Sequence, residues 1–247
     1  HQSIQNPSCA GSAPKVRPKI QNQISWGEAI DVSVFFGRER ELEILSEWII
    51  RDRCRLVAIL GIGGTGKTAL SVKLTEQIQK DFDFVIWRSL HNAPSIHLLL
   101  TNLIEFLSEG KVTKLPADID GKILQLMEYL QNHRCLIIFD NLETILSSAI
   151  QPNSSNCKAG YYREGYEEYG KLLQRIGEAH HQSCLILTSR EKPKEVAALA
   201  GESFPVRNLS LSGLTTAAAQ EIFKAKGHFI GGDYDWQTLI QSYGGNP

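Results

Sequence analysis

The run Gly61-Ile62-Gly63-Gly64-Thr65-Gly66-Lys67-Thr68 follows directly on the apolar segment Leu56-Val57-Ala58-Ile59-Leu60 and constrains the fold more than any other part of the chain. It has the pattern GxxxxGK[ST], whose chemistry needs a buried strand before it and a helix after it. The glycines let backbone N–H groups turn inward into an anion nest, and a helix starting near Lys67 adds its positive dipole end. Lys67 then supplies a point charge to outer phosphates and Thr68 an oxygen ligand to Mg²⁺. The bland alternative, a glycine-rich turn with an exposed lysine, requires neither flanking element. A strand, loop and helix in this order belong to a parallel α/β sheet.

The rest of the chain agrees. Four more apolar runs read as buried strands: Phe84-Val85-Ile86-Trp87, Cys135-Leu136-Ile137-Ile138-Phe139, Cys184-Leu185-Ile186-Leu187 and a weaker one near Val206. Helical patterns stand between them, at 38–50, from Lys67 to about Lys80, at 96–107, at 123–130 and around Tyr169, Leu172, Leu173 and Ile176. Such alternation predicts an α/β fold, a five-stranded parallel sheet flanked by helices. Residues 1–30 are rich in Gln, Asn, Ser and Pro and read as a linker, 31–211 as the main domain, and 212–247 as the start of a small helical subdomain. The polar stretch 147–160 reads as a mobile surface insert. The sequence begins without Met, as expected of a piece of a longer chain.

Composition excludes several classes. A net charge of -1 gives no field that demands nucleic acid or an anionic membrane. No apolar run approaches the ~18 residues of a membrane span. Cys9, Cys54, Cys135, Cys157 and Cys184 are odd in number and lack any CxxC pair, so they read as reduced thiols of a cytoplasmic protein.

Two strand ends carry further chemistry. Asp140 closes the run CLIIFD, where a carboxylate can bind Mg²⁺ beside the phosphates. The same Asp140-Asn141-Leu142-Glu143 segment also fits a helix cap with a reach-back glutamate. Arg190 ends the run Leu187-Thr188-Ser189-Arg190, on the sheet edge where ligands of open parallel sheets bind. There it can detect a terminal phosphate or simply be solvated. His180-His181 reads as a helix-end cap, not a metal site. Arg51-Asp52-Arg53-Cys54-Arg55 reads as a solvated turn. Tyr161, Tyr162, Tyr166 and Tyr169 are expected to line one helix.

Taken in order, Phe35-Phe36-Gly37-Arg38-Glu39, the GIGGTGKT loop, CLIIFDN, LTSR and Gly245-Asn246-Pro247 resemble the NB-ARC domain of the STAND class of signal-transduction ATPases. Trp26-Gly27-Glu28, Tyr162-Arg163-Glu164-Gly165-Tyr166 and Ser189-Arg190-Glu191-Lys192-Pro193 resemble in particular the bacterial members that carry WD-type β-propeller repeats. The resemblance implies a regulatory switch that binds ATP or ADP with Mg²⁺. It implies nucleotide contacts at Phe35, Phe36, Gly37 and Arg38, at Gly61, Gly63, Gly64, Thr65, Gly66, Lys67, Thr68 and Ala69, and at Arg190 and Pro247. In this family Arg190's position reads the γ-phosphate, Pro247's closes over the base, and Thr68 and Asp140 match the metal-binding positions. No winged-helix segment follows Pro247 here, so control by that domain is not expected of this stretch.

The catalytic set on this reading is Lys67, Asp140, Asn141, Glu143 and Arg190. Many relatives place a second acid after the Mg-binding aspartate, whereas this chain has Asn141, which cannot accept a proton. Hydrolysis is therefore expected to be slow unless Glu143 reaches the water. A guanine-reading Asn-Lys-x-Asp motif is absent from the sequence, which favours adenine nucleotides. The rivals are a small-molecule kinase and an interaction module holding ADP permanently. Expected partners are the nucleotide, proteins engaging flanking domains, and further copies in nucleotide-dependent self-association.

Overall fold

In the computed structural model, residues 22–112, 114–147 and 159–227, with Gly232, Asp235, Trp236 and Thr238, are described. Six strands occur among them: β1 (Gln23–Ser25), β2 (Leu56–Leu60), β3 (Phe84–Ser89), β4 (Cys135–Asp140), β5 (Cys184–Ser189) and β6 (Val206–Ser210). They form one parallel sheet in the order β1-β3-β4-β5-β2-β6. The helices are α1 (Glu39–Ser46), α2 (Lys67–Ile78), α3 (Ile96–Leu107), α4 (Ile119–Asn132), α5 (Glu168–Glu178), α6 (Lys194–Leu199) and α7 (Thr216–Lys226).

The central strands read as unbroken apolar runs because both faces of the sheet are covered. Leu56, Ala58 and Leu60 of β2, Ile137 and Phe139 of β4, and Leu185 and Leu187 of β5 pack with α3, α4 and α5. The alternate residues Val57, Ile59, Leu136, Ile138 and Ile186 pack with Leu42 and Leu45 of α1 and Leu70 and Leu74 of α2. Side chains buried in this way each contribute ~1.5–3 kcal/mol, so the strands hold their register firmly. Helix starts follow local chemistry: Ser95, Asp118 and Thr215 cap α3, α4 and α7 by accepting from Leu98, Gly121 and Ala218 N–H.

Two expectations change. The segment read as a linker contributes β1, which extends the sheet beside β3, with Gln23 N–H donating to Asp83 O at 3.0 Å. The tyrosines do not share one helix face. Tyr169 is buried on α5, Tyr162 lies in an antiparallel bridge with Leu146 and donates to Glu195, and Tyr161 is exposed. Of the expected insert, 148–158 lies outside the described residues, as does Gly245-Asn246-Pro247.

His181 does cap a helix end. Its Nε2 lies 2.8 Å from Ile176 O and its Nδ1 accepts from Ser183 N–H at 3.2 Å, which selects the neutral ring protonated on Nε2. Burial, the main cause, holds its pKa below the ordinary histidine value. The unfolded chain therefore takes up a proton at higher pH than the folded one. The contribution is complete above pH ~6.5 and is lost as pH falls from there toward the folded pKa. Urea unfolding of His181→Gln between about pH 7.5 and 5.5 should give a flatter stability profile than the unmodified chain; an identical profile would assign the slope to other groups.

Candidate functional site

Strand order brings the site together. β5 lies between β2 and β4, so the ends of the glycine loop's strand and of the aspartate's strand both border β5. Phe139 pairs with Leu187, which makes the next residues, Asp140 and Thr188, neighbours. Both fall on the alternation that faces α2, and α2 begins with Lys67 and Thr68. Gly66 makes that start by adopting φ 85, a left-handed conformation that costs glycine little.

Asp140 is 4% exposed and accepts three hydrogen bonds. Thr68 Oγ1 donates to its carboxylate, 2.9 and 3.1 Å from the two oxygens. Thr188 Oγ1 donates to Oδ1 at 2.6 Å, and Asn141 Nδ2 to Oδ2 at 3.1 Å. Thr188 also accepts from Asn141 N–H at 3.0 Å, so one hydroxyl orients the carboxylate and the backbone that follows it. Lys67 folds back on the loop, its Nζ donating to Gly61 O at 2.8 Å and Ile62 O at 3.0 Å. Burial lowers its pKa from the ordinary lysine value, while the Glu143 carboxylate acts in the opposite sense.

Glu143 is not a cap. The N-cap of the short 3₁₀ turn Leu142–Ile145 is Asn141, at φ 63, and makes no side-chain capping bond. Glu143 Oε1 instead pairs with Arg190 Nε at 3.2 Å, and its other oxygen is buried without a hydrogen-bond partner among the described residues. Arg190 in turn lies over the glycine loop. A Cβ at Gly63 would stand 3.1 Å from its guanidinium carbon, so a larger residue there would push the Arg190 side chain aside by a few tenths of an ångström. Lys67, Thr68, Asp140, Asn141, Glu143 and Arg190 thus meet at one edge of the sheet.

Beside the loop is a cleft of about 270 Å³ lined by Val34, Phe35, Phe36, Arg38, Thr65, Gly66, Ala69, Leu214 and Ile222. Its lining is mainly apolar and suits a flat ring. Gly37 lines a second, wider opening of about 600 Å³ between α1 and α7. Pro247 lies outside the described residues. Sequence reasoning missed Thr188, Leu214 and Ile222. Thr188 shares the alternation that brings Asp140 to the α2 face, a signal present in the LTSR run.

Comparison with known proteins gives the family and the fold. Residues 38–151 match the NB-ARC domain. The chain is 47% identical over 230 residues to a WD repeat-containing protein of Nostoc sp., covering 90% of this chain and 18% of that protein. It is 26% identical over 96 residues to the disease resistance protein RPM1 of Arabidopsis thaliana, 36% of this chain and 10% of that one. The chain therefore spans less than a fifth of either relative. Among solved structures it is similar to Cdc6p from Pyrobaculum aerophilum, with TM-score 0.52 and 15% identity over 76% of this chain and 48% of that chain. The Aeropyrum pernix Orc1 protein, solved in complex with DNA, gives 0.51 and 17% over 78% of this chain and 50% of that one. These two likenesses concern the fold.

Proposed function

Residues 38–151 are an NB-ARC domain of the STAND class of P-loop NTPases, and from that premise we propose that the chain is an adenine-nucleotide switch module that retains ADP and hydrolyses ATP slowly. The observation that carries this reading is the meeting of Lys67, Thr68 and Asp140 at the mouth of a glycine loop whose helix starts at Lys67. The donor set fits a hard divalent cation. A hydroxyl and a carboxylate within 3.1 Å of each other offer two oxygens, and Mg²⁺ commonly takes its remaining ligands from phosphate and water. Thr68 and Asp140 would hold it, and Mg²⁺ would neutralise charge between the outer phosphates.

The chain's own groups do the rest. The loop N–H groups bind phosphate oxygens, and Lys67 exchanges its two carbonyl partners for a phosphate. The Arg190 side chain is 63% exposed, so its pair with Glu143 is worth ~1 kcal/mol or less, little enough for a γ-phosphate to compete for the guanidinium. Asn141 has no proton-accepting group, and its amide is already spent on Asp140 Oδ2, which makes turnover slow. The same two facts favour a second reading, a module that holds ADP without hydrolysis. The family match favours either over a small-molecule kinase.

The cleft formed by Val34, Phe35, Phe36, Leu214 and Ile222 is the place we assign to the base. Protein partners acting through segments outside this stretch, and self-association controlled by nucleotide, belong to the same proposal. So does a cytoplasmic setting, supported by the buried free thiols of Cys54, Cys135 and Cys184. Among the described residues no helix is long and apolar enough to cross a membrane. Thermal unfolding tests the nucleotide class: Mg-ADP and Mg-ATP should raise Tm more than Mg-GDP and Mg-GTP at equal concentration, and equal shifts would contradict adenine selection.

A further inference from the structure

Arg38, on the wall of the cleft beside the glycine loop, is a buried cation. It is 8% exposed and sits at φ 72, in the left-handed region, directly after Gly37 at φ 71. A non-glycine residue held there stores strain that its surroundings must hold in place. Here they do so with three hydrogen bonds. Nη1 donates to Glu41 Oε1 at 2.9 Å, and Nη2 donates both to Thr65 O at 3.2 Å and to Ser212 O at 2.5 Å. Thr65 belongs to the glycine loop, and Ser212 lies three residues before Thr215, the cap of α7. The contact with α7 is close: a Cβ on Gly37 would stand 2.8 Å from the Ala218 Cβ. A guanidinium spent in this way is poorly placed to read a base.

We propose that Arg38 is a positioning residue, the strut that transmits occupancy of the glycine loop to α7. This rests on the nucleotide reading of the loop. A phosphate held by the loop N–H groups fixes the peptide that carries the Thr65 carbonyl. The two N–H groups of Arg38 Nη2 tie that carbonyl to the Ser212 carbonyl, so ordering one end orders the other, and the αL turn at Gly37-Arg38 keeps α7 within reach. Lysine cannot replace this fork, because one ammonium carries no rigid pair of donors at guanidinium spacing. The same strut makes Leu214 and Ile222, which line the cleft beside the loop, responsive to what the loop holds.

Hydrogen exchange read by mass spectrometry tests the strut. In the unmodified chain, saturating Mg-ADP should slow amide exchange in peptides covering 61–68 and 216–223, each by about fivefold or more, the lower end of ordinary site-to-site coupling. In Arg38→Ala, with Mg-ADP held far above that variant's own measured Kd, protection of 61–68 should remain and that of 216–223 should fall below about twofold. Gly37→Ala, whose methyl group wedges against Ala218, should give the same split, and it decides the matter if Arg38→Ala does not fold. Undiminished protection of 216–223 in these variants would overturn the strut. If the unmodified chain shows no protection of 61–68, the nucleotide reading fails instead. The strut is then judged without nucleotide, where Arg38→Ala must speed exchange of 216–223 and unchanged exchange would overturn it.

Discussion

Lys67→Ala is expected to erase most of the stabilisation that Mg-ADP gives the unmodified chain. A ligand bound only by the native state adds RT ln(1 + [L]/Kd), or ~2.7 kcal/mol at a hundredfold excess over Kd. For a chain of this length that is a rise in Tm of roughly 5–10 °C. The Lys67 ammonium is half of the reason. It is 8% exposed, its pKa is pressed down by burial, and in this structure two loop carbonyls satisfy it. A phosphate is the better partner for such a cation, because hydrogen bonds between charged groups are about twice as strong as neutral ones. Removing the side chain also frees the Gly61 and Ile62 carbonyls, so the variant's own Tm will shift. The ligand-induced difference, measured for each protein against itself, is therefore the quantity to compare. A variant that keeps the full difference would place phosphate binding elsewhere.

Asn141→Asp is expected to raise single-turnover ATP hydrolysis by ~10²-fold or more, the usual contribution of a positioned general base. The backbone permits the change, because aspartate tolerates the left-handed conformation that Asn141 adopts at φ 63. The new carboxylate would replace an amide that now donates to Asp140 Oδ2 at 3.1 Å. Two like charges side by side raise one pKa, which improves the second carboxylate as a base. Glu143→Gln separates the rival. The substitution removes the charge that pairs with Arg190 and leaves the fold of the 3₁₀ turn in place. If Glu143 only tethers Arg190, the rate changes by a few-fold at most. Were Glu143 the working base, Glu143→Gln would lose ~10²-fold or more and Asn141→Asp would add little.

Much of this site was legible in the chain because its parts are local. The glycine loop, the strand before it and the helix after it are contiguous, and CLIIFD carries its aspartate on the strand itself. Four of the five expected strands stood out because both faces of the sheet are covered there and most of their residues are apolar, whereas β6, an edge strand carrying Arg207 and Asn208, gave the weaker signal. β1 was hidden for the opposite reason: three residues of mixed polarity join the sheet through backbone bonds, and Ile24 remains 38% exposed. The alternation in LTSR puts Thr188 on the α2 face, but its bond to Asp140 depends on β5 lying beside β4, a matter of strand order. The capping role for Glu143 failed because Asp140 is the last residue of its strand, with its carboxylate already taken by Thr68, Thr188 and Asn141. The spacing DNLE was right for a capping box, and the backbone it required was not there.

The central claim is that the glycine loop of this chain holds an adenine nucleotide, and the most direct measurement is the identity of whatever leaves the purified protein on acid or heat release. Chromatography of the released material should give ADP in near one-to-one ratio to protein. If little is found, titration of the stripped chain with Mg-ADP should restore one bound nucleotide per chain. Finding no nucleotide on release, together with no binding of Mg-ADP or Mg-ATP in titration, would contradict the account.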